Sequence, residues 1–397
     1  MESHDTAAPQ PESHSRTVRH RRLFIGGAVV LGLIVVVCWA AGLGRYLVRQ
    51  VKYAGKAATF SGDSQKLKQT VIVPTLDSLC PPGKNVIWCS SFQLAWNELR
   101  DKTVKAPLHV VGAEEVAGRL NAARQSSSDL DLKSYYAAGG WIKDGIVGKI
   151  KKDMAAKFPS HVLPDFNDYD GGLLAYSYLT ANVPFKYPFR QMDNGLTFCD
   201  SQGAKIVVEA FGLSEIDESS YQKMREQVAV LYSRRSDKPN RWEFTEYILD
   251  LCQRSQPYAV IVAMVEAKGS LADTLEYVRV QTRKSENAGP SAKIQALGRN
   301  DILKVPEMIW RIDHRFSELT GKKVANVDMP IVEALQTTIF RLDRHGAVLK
   351  SEAHLAVKSL PEEFLFNRPF LVYMQKRGAE HPFFVMWVDN AELLVRR

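Results

Sequence analysis

The chain has 397 residues, with 52 Lys and Arg against 44 Asp and Glu and a formal charge of +8. Residues 1 to 56 hold eight of the basic side chains and three of the acids, a net of +5, so the other 341 residues carry only +3. That distribution argues against a nucleic-acid partner, and a hydrophobic fraction of 45% argues against a disordered chain.

The basic end borders a membrane segment. From Leu23 to Gly44 no residue is charged. At about 1.5 Å per residue, such a helix matches the roughly 30 Å hydrocarbon core. Arginines flank it, and Trp39 and Tyr46 are placed as interfacial anchors. The apolar run exceeds the roughly 7–15 residues of a cleaved signal peptide, so an uncleaved anchor is expected. Residues 1–22 read as a disordered tail and 45–60 as a juxtamembrane linker. The tight Arg16–Arg22 cluster favours the tail inside and the large C-terminal domain, 61–397, on the extracytoplasmic side.

Within that domain helical and strand-like periodicities mix without segregating, which predicts an α+β fold. Helical stretches cover Phe92–Leu99, Ala113–Arg124 and Glu218–Arg235. Ile142, Ile146, Ile150 and Met154 place one apolar stripe on a further helix. Strand-like runs cover Leu173–Thr180, Lys205–Leu213, Tyr258–Glu266, Thr274–Arg283 and Ala334–Asp343. Arg368–Gln375 and Pro382–Asp389, joined by KRGAE, predict an antiparallel hairpin of strands buried on both faces. No internal repeat divides the domain.

Catalytic constellations are not apparent. Gly148-Lys149 is followed by Ile150 where a phosphate loop needs Ser or Thr. The nine histidines form no HxxxH or HExxH pair, so no metal is expected, nor is a cofactor. Asp313-His314 reads as a solvated surface pair, and a membrane-anchored hydrolase would need His314 gathered with an acid and a nucleophile. Cys80, Cys89, Cys199 and Cys252 allow three pairings. Cys89 and Cys199 lie among apolar residues and read as buried free thiols.

Five segments, in order, resemble the serpin family. FLFNRPFLVYM (Phe364–Met374) is similar to the family signature, with Asn367, Arg368, Pro369 and Phe370 at its centre. PGKNVIWCS (Pro82–Ser90) resembles the strand leading into the second helix. WIKDGIVGKI (Trp141–Ile150) resembles the helix carrying Trp and then Gly-Lys-Ile. AVIVAMVEAKGSLADTLE (Ala259–Glu276) resembles a buried strand followed by a helix, and IFRLDRHG (Ile339–Gly346) resembles the long central strand ending in a hinge glycine. The resemblance implies a serpin-like fold with three β-sheets, about nine helices and an exposed reactive loop. It implies serine protease inhibition, in which the cleaved loop enters the central sheet as a new strand and no residue of the inhibitor is catalytic.

Counted back from the signature, the implied scissile bond is Lys358-Ser359, bait for a trypsin-like serine protease. The hinge departs from the family pattern. Ala347, Leu349, Ser351 and Ala353, after Gly346, would share one face of an entering strand, whereas Val348, Lys350, Glu352 and His354 would share the other. The span from Gly346 to Lys358 is about two residues short of inhibitory spacing, withholding roughly 7 Å of travel. Arg344 and Glu307 occupy the positions of a hinge ion pair with its charges exchanged. Gln336, Ser177 and Phe92 occupy positions where the family keeps a buried His, Asn and Ser cluster. A non-inhibitory binding or structural module is therefore the alternative expectation. Oligomeric state is not indicated.

Overall fold

The computed structural model describes residues 58–166, 170–214, 220–236, 244–287, 295–344 and 362–397. These belong to one unit, Ala58–Arg397. Among them no helix is long and apolar enough to cross a membrane. The expected span at 23–44, together with the tail, lies outside the described residues.

Three sheets organise the unit. The central sheet runs in the order β1 (Phe60–Asp63), β15 (Met308–Arg315), β17 (Met329–Leu342), β5 (Leu173–Asn182), β4 (Tyr135–Trp141), with β16 (Lys323–Val324) attached to β17. The second sheet has eight strands, ordered β13 (Gln295–Ala296), β10 (Ala229–Arg235), β11 (Phe244–Asp250), β12 (Tyr258–Met264), β19 (Phe370–Lys376), β20 (Phe384–Val388), β3 (Asn85–Cys89), β2 (Thr70–Val73). The third is β18 (Glu363–Leu365), β14 (Ile302–Pro306), β9 (Ala210–Leu213), β6 (Arg190–Gln191), and a small hairpin joins β7 (Leu196–Cys199) to β8 (Lys205–Val208). Three larger sheets and one two-stranded sheet thus stand among the described residues where the resemblance implies three.

Helices are fewer than expected. Against about nine implied by the resemblance, five α-helices stand among the described residues: α1 (Ser90–Asn97), α2 (Glu114–Ala122), α3 (Ile146–Lys157), α4 (Ser220–Glu226) and α5 (Leu271–Asn287). Short 3-10 turns and a π-helical stretch, Glu98–Val104, take up other connections.

Two sequence expectations reverse. Thr274–Arg283 is helix, not strand, because Leu271, Thr274, Leu275 and Val278 recur at helical spacing and are buried on one face. Ser270 and Asp273 set its start: the Asp273 amide donates to Ser270 Oγ at 3.0 Å, and Ser270 Oγ donates to the Asp273 carboxylate at 2.6 Å. Glu218–Arg235 splits, with helix to Glu226 and then β10, whose residues pair with β11 from Ala229 to Arg235. Lys205–Leu213 likewise divides at Glu209 into strands of two different sheets. The expected hairpin is β19–β20, and both strands are buried along most of their length.

The main core fills the space behind the central sheet. Met308, Trp310 and Ile312 of β15, Ala334, Phe340 and Leu342 of β17, and Leu173, Ala175, Leu179 and Ala181 of β5 face it. α1 closes that space from below, and Gly139 of β4 permits its approach. A Cβ there would lie 2.7 Å from Leu99 Cγ and 2.8 Å from the Ala95 carbonyl oxygen, so any side chain would push the helix away. On the opposite face, Ile146, Ile150 and Met154 of α3 pack on Tyr136, Ala138, Leu174 and Tyr176. This is the stripe that the four-residue spacing predicts, although Ile142 precedes α3 in a 3-10 turn. Gly148 and Lys149 lie on α3, so they form no phosphate loop.

Candidate functional site

The site is the seam between β5 and β17. These strands pair in parallel from Ile331↔Leu173 to Arg341↔Asn182, with no strand between them. Their other neighbours run antiparallel: β4 to β5, and β15 to β17. β17 ends at Leu342, and the chain resumes at Glu362 before β18, which pairs with β14 in the third sheet. The expected loop therefore connects the end of the seam to another sheet. Gly346, Ala347, Leu349, Ser351, Ala353, Lys358 and Ser359 lie outside the described residues.

The hinge charges are described. The register Met308↔Leu342 carries Glu307 and Arg344 to the same end of the β15–β17 pair. Glu307 is fully buried there, and the Arg344 carbonyl accepts a 3.0 Å bond from the Phe189 amide.

Beneath the seam, the structure pairs two of the three residues expected at the polar cluster, and the third, Phe92, lies on α1 beside Ser91, which reaches Ser177. Gln336 is paired in register with Ser177. Ser91 Oγ of α1 donates to Ser177 Oγ at 3.4 Å, and Gln336 Nε2 donates to Thr338 Oγ1 at 3.1 Å. Cys89 Sγ shares a 3.4 Å contact with Thr338 Oγ1, and burial pushes its thiol up to about 12. Phe92 is buried, and its ring meets that of Phe316 at a tilt with centroids 4.0 Å apart. Sequence reading named neither Cys89 nor Thr338 as part of this cluster.

Asp313 and His314 are not a solvated pair. Strand alternation sends their side chains to opposite faces of β15. Asp313 accepts from Thr337 Oγ1 at 2.7 Å on the outer face. On the inner face His314 Nδ1 shares a 2.7 Å hydrogen bond with Ser64 Oγ, and its Nε2 is buried without a partner among the described residues. Burial holds this imidazole down to about 4, against an opposing pull from Asp63, so it is neutral near pH 7. The histidine and a hydroxyl meet, but among the described residues no carboxylate accepts from the far ring nitrogen as a Ser-His-Asp arrangement would need.

The outer face holds Arg311, Asp313, Arg315 and Glu333; sequence reading named Asp313 only as half of a surface pair and missed the other three. Their signal was present: Met308, Trp310 and Ile312 alternate with polar residues from Arg311 onward, the period of a half-buried strand. Arg315 Nε donates to Glu333 Oε1 at 2.9 Å, and the Glu333 side chain is 0% exposed.

The signature segment is structural. Phe364, Phe366 and Phe370 are fully buried, and Phe366 meets Phe370 at 5.3 Å. Asn367 accepts at its carbonyl from the Cys199 amide at 2.8 Å, while Arg368 Nη2 donates to the Thr245 carbonyl at 2.7 Å. Pro369, which has no N–H to donate, stands just before β19 begins. Together they carry the chain from β18 across to the second sheet. Cys80, Cys89, Cys199 and Cys252 are all free, as expected for Cys89 and Cys199 and left open for the other two. Cys89 and Cys252 are buried, whereas Cys199 is only partly so.

The sheets and the signature segment stand in the arrangement that the sequence resemblance implies. No protein-family model matches the chain, and no curated protein matches it. Solved structures overlap it at low identity. Native protease nexin-1 with heparin aligns at 12% identity and a TM-score of 0.45, covering 77% of this chain and 92% of that one. Mouse protein-Z dependent protease inhibitor aligns at 14% and 0.48, covering 77% and 91%. The Manduca sexta serine protease inhibitor (Serpin)-12 aligns at 12% and 0.45, covering 77% and 92%.

Proposed function

We propose that this protein is a membrane-tethered, serpin-like inhibitor whose loop, residues 345–361, offers Lys358-Ser359 to a trypsin-like serine protease. The observation that carries this reading is the parallel pairing of β5 with β17 between antiparallel neighbours. A segment turning back from the end of β17 into the seam would run antiparallel to both strands. One parallel ladder would be exchanged for two antiparallel ones, which are somewhat more stable per residue. The closed sheet is thus the less favourable arrangement, and cutting the loop frees the segment that completes it.

The chemistry belongs to the protease. Its serine attacks the Lys358 carbonyl, the Lys358–Ser359 bond breaks, and the amine of Ser359 leaves with a proton from the enzyme's histidine. The acyl ester at Lys358 persists if insertion carries it away before water attacks. The long cation of Lys358 suits a specificity pocket with a buried carboxylate. Residues 23–44 would hold the domain at the membrane surface on its extracytoplasmic side. Carbonate-resistant membrane association, lost on deleting those residues, is the expected result for the tether.

Incubating the full chain in detergent with trypsin should give an SDS-stable adduct that disappears in Lys358→Ala. Cleavage with neither an adduct nor a gain in heat stability would sink this reading. The short Gly346–Lys358 span favours a second one, a non-inhibitory binding or structural module. Cleavage with heat stabilisation but no adduct would support it.

A further inference from the structure

β2 is the last strand of the second sheet, and beside it lies a cavity of about 420 Å³ that α2 and the turn following β15 help to line. Two contacts tie these parts together. Arg119 of α2 lies 3.9 Å from Asp77 in the turn after β2. Ser64, in the 3-10 turn before β2, shares its 2.7 Å hydrogen bond with His314 of β15. Sites for small molecules span about 300–1,000 Å³, so the space suits a compact organic ligand.

The lining divides by chemistry. Val71, Pro74 and Val116 supply apolar surface. Val71 is 41% exposed although it sits in a strand, so part of that surface stands open to solvent. The charges do not balance. Arg119, the cation of the lining, is already claimed by Glu115 at 2.6 Å and by Asp77. Glu318 is half-buried and has no ion pair among the described residues. Burial raises its carboxyl above the usual range, against the pull of its own backbone N–H. His314 adds a neutral imidazole whose Nε2 is buried without a partner among the described residues.

Two carboxylates thus stand against one guanidinium, with a ring nitrogen unused. An anion would meet net negative charge. A bare metal ion lacks a set of ligands, since no group of three His, Cys, Asp or Glu able to hold one stands among the described residues. An organic cation satisfies both the unpaired carboxylate and the apolar surface.

We propose that this cavity binds a small organic ammonium, its charge on the Glu318 carboxylate and its hydrocarbon body against Val71, Pro74 and Val116. An ammonium has three N–H donors. One beyond the Glu318 contact suits the Nε2 lone pair of His314, in the tautomer whose Nδ1–H donates to Ser64 Oγ. The site uses neither the loop nor the β5–β17 seam, so it is independent of the inhibitory reading.

Calorimetric titration of the full chain in detergent with phenethylamine tests the site, with phenethyl alcohol as the uncharged probe of the same size. The amine should bind saturably in the millimolar range or tighter, and about tenfold more tightly than the alcohol, as expected for one partly buried charge-assisted hydrogen bond. Glu318→Gln should weaken the amine by about the same factor and leave the alcohol unchanged. Val71→Trp, which fills the cavity from a partly exposed position, should abolish binding of both. Melting temperatures near that of the wild type confirm that the variants are folded. No saturable binding of the amine, equal affinity for amine and alcohol, or amine binding that Glu318→Gln leaves unchanged overturns the proposal. Amine binding that is lost in Glu318→Gln but untouched by Val71→Trp also overturns it, because the cation would then sit on open surface.

Discussion

The two faces of one seam are built differently. Thr337 and Thr338 are adjacent on β17, yet Thr337 reaches a carboxylate at 2.7 Å on the outer face, whereas Thr338 makes neutral contacts at 3.1 and 3.4 Å on the inner one. Outside, guanidinium groups tie strands to an overlying segment. Inside, Ser91 and Ser177 touch at 3.4 Å, and Gln336 Oε1 is buried without a partner among the described residues. Charge-assisted hydrogen bonds are roughly twice as strong as neutral ones, so resistance to opening is concentrated on the outer face. The inner face can part with little loss of polar contact, provided that its apolar support stays in place.

That support is the first place to break the comparison. Phe92→Ala should cost about 3–5 kcal/mol, because a fully buried ring packed on Phe316 leaves a cavity under the seam. Urea unfolding of the full chain measures it, and a cost below about 1 kcal/mol would show that α1 does not brace the inner face. The next effect depends on pH. The folded state holds His314 down to about 4, so the unfolded chain takes up the proton first as pH falls. The stability of the neutral ring is fully present above the ordinary value near 6.5. It declines as pH drops from about 6.5 to about 4, by at most about 3 kcal/mol. His314→Gln should flatten that part of the profile of unfolding midpoints, and an unchanged slope would contradict the assignment.

Smaller effects separate the faces directly. Thr337→Val removes the donor to Asp313 and should cost about 1–2 kcal/mol. Gln336→Leu removes one 3.1 Å bond together with an unsatisfied oxygen, so it should change stability by less than about 1 kcal/mol. Thermal unfolding of both variants under one condition gives the contrast. Equal losses would mean that the faces do not differ.

Much of this architecture was legible in the sequence. The β19–β20 hairpin announced itself through apolar runs too continuous for half-exposed strands. Gln336 and Ser177 were expected in one cluster, but their pairing in register is seen only in the structure. α5 was misread because Val, Thr and Tyr give Thr274–Arg283 a strand-like composition, while its helical face is set by distant packing against the second sheet. The outer-facing side chains left their signal in the alternation of β15, but the partners of Arg311 and Arg315 did not. Arg311 and Arg315 bind backbone carbonyls about 150 residues earlier, and a carbonyl carries no sequence signal. Asp313-His314 shows the same limit, since adjacent residues on a strand face opposite ways and neighbours in sequence are not neighbours in space.

The most direct test of the central claim, that the parallel seam is an unfilled position for a strand, is the melting temperature of the full chain before and after cleavage at Lys358. An inserted strand predicts a clear rise on cleavage, lost when the loop segment 347–353 is replaced by prolines that cannot donate to a ladder. An unchanged or lower melting temperature in the cleaved wild-type chain would contradict it.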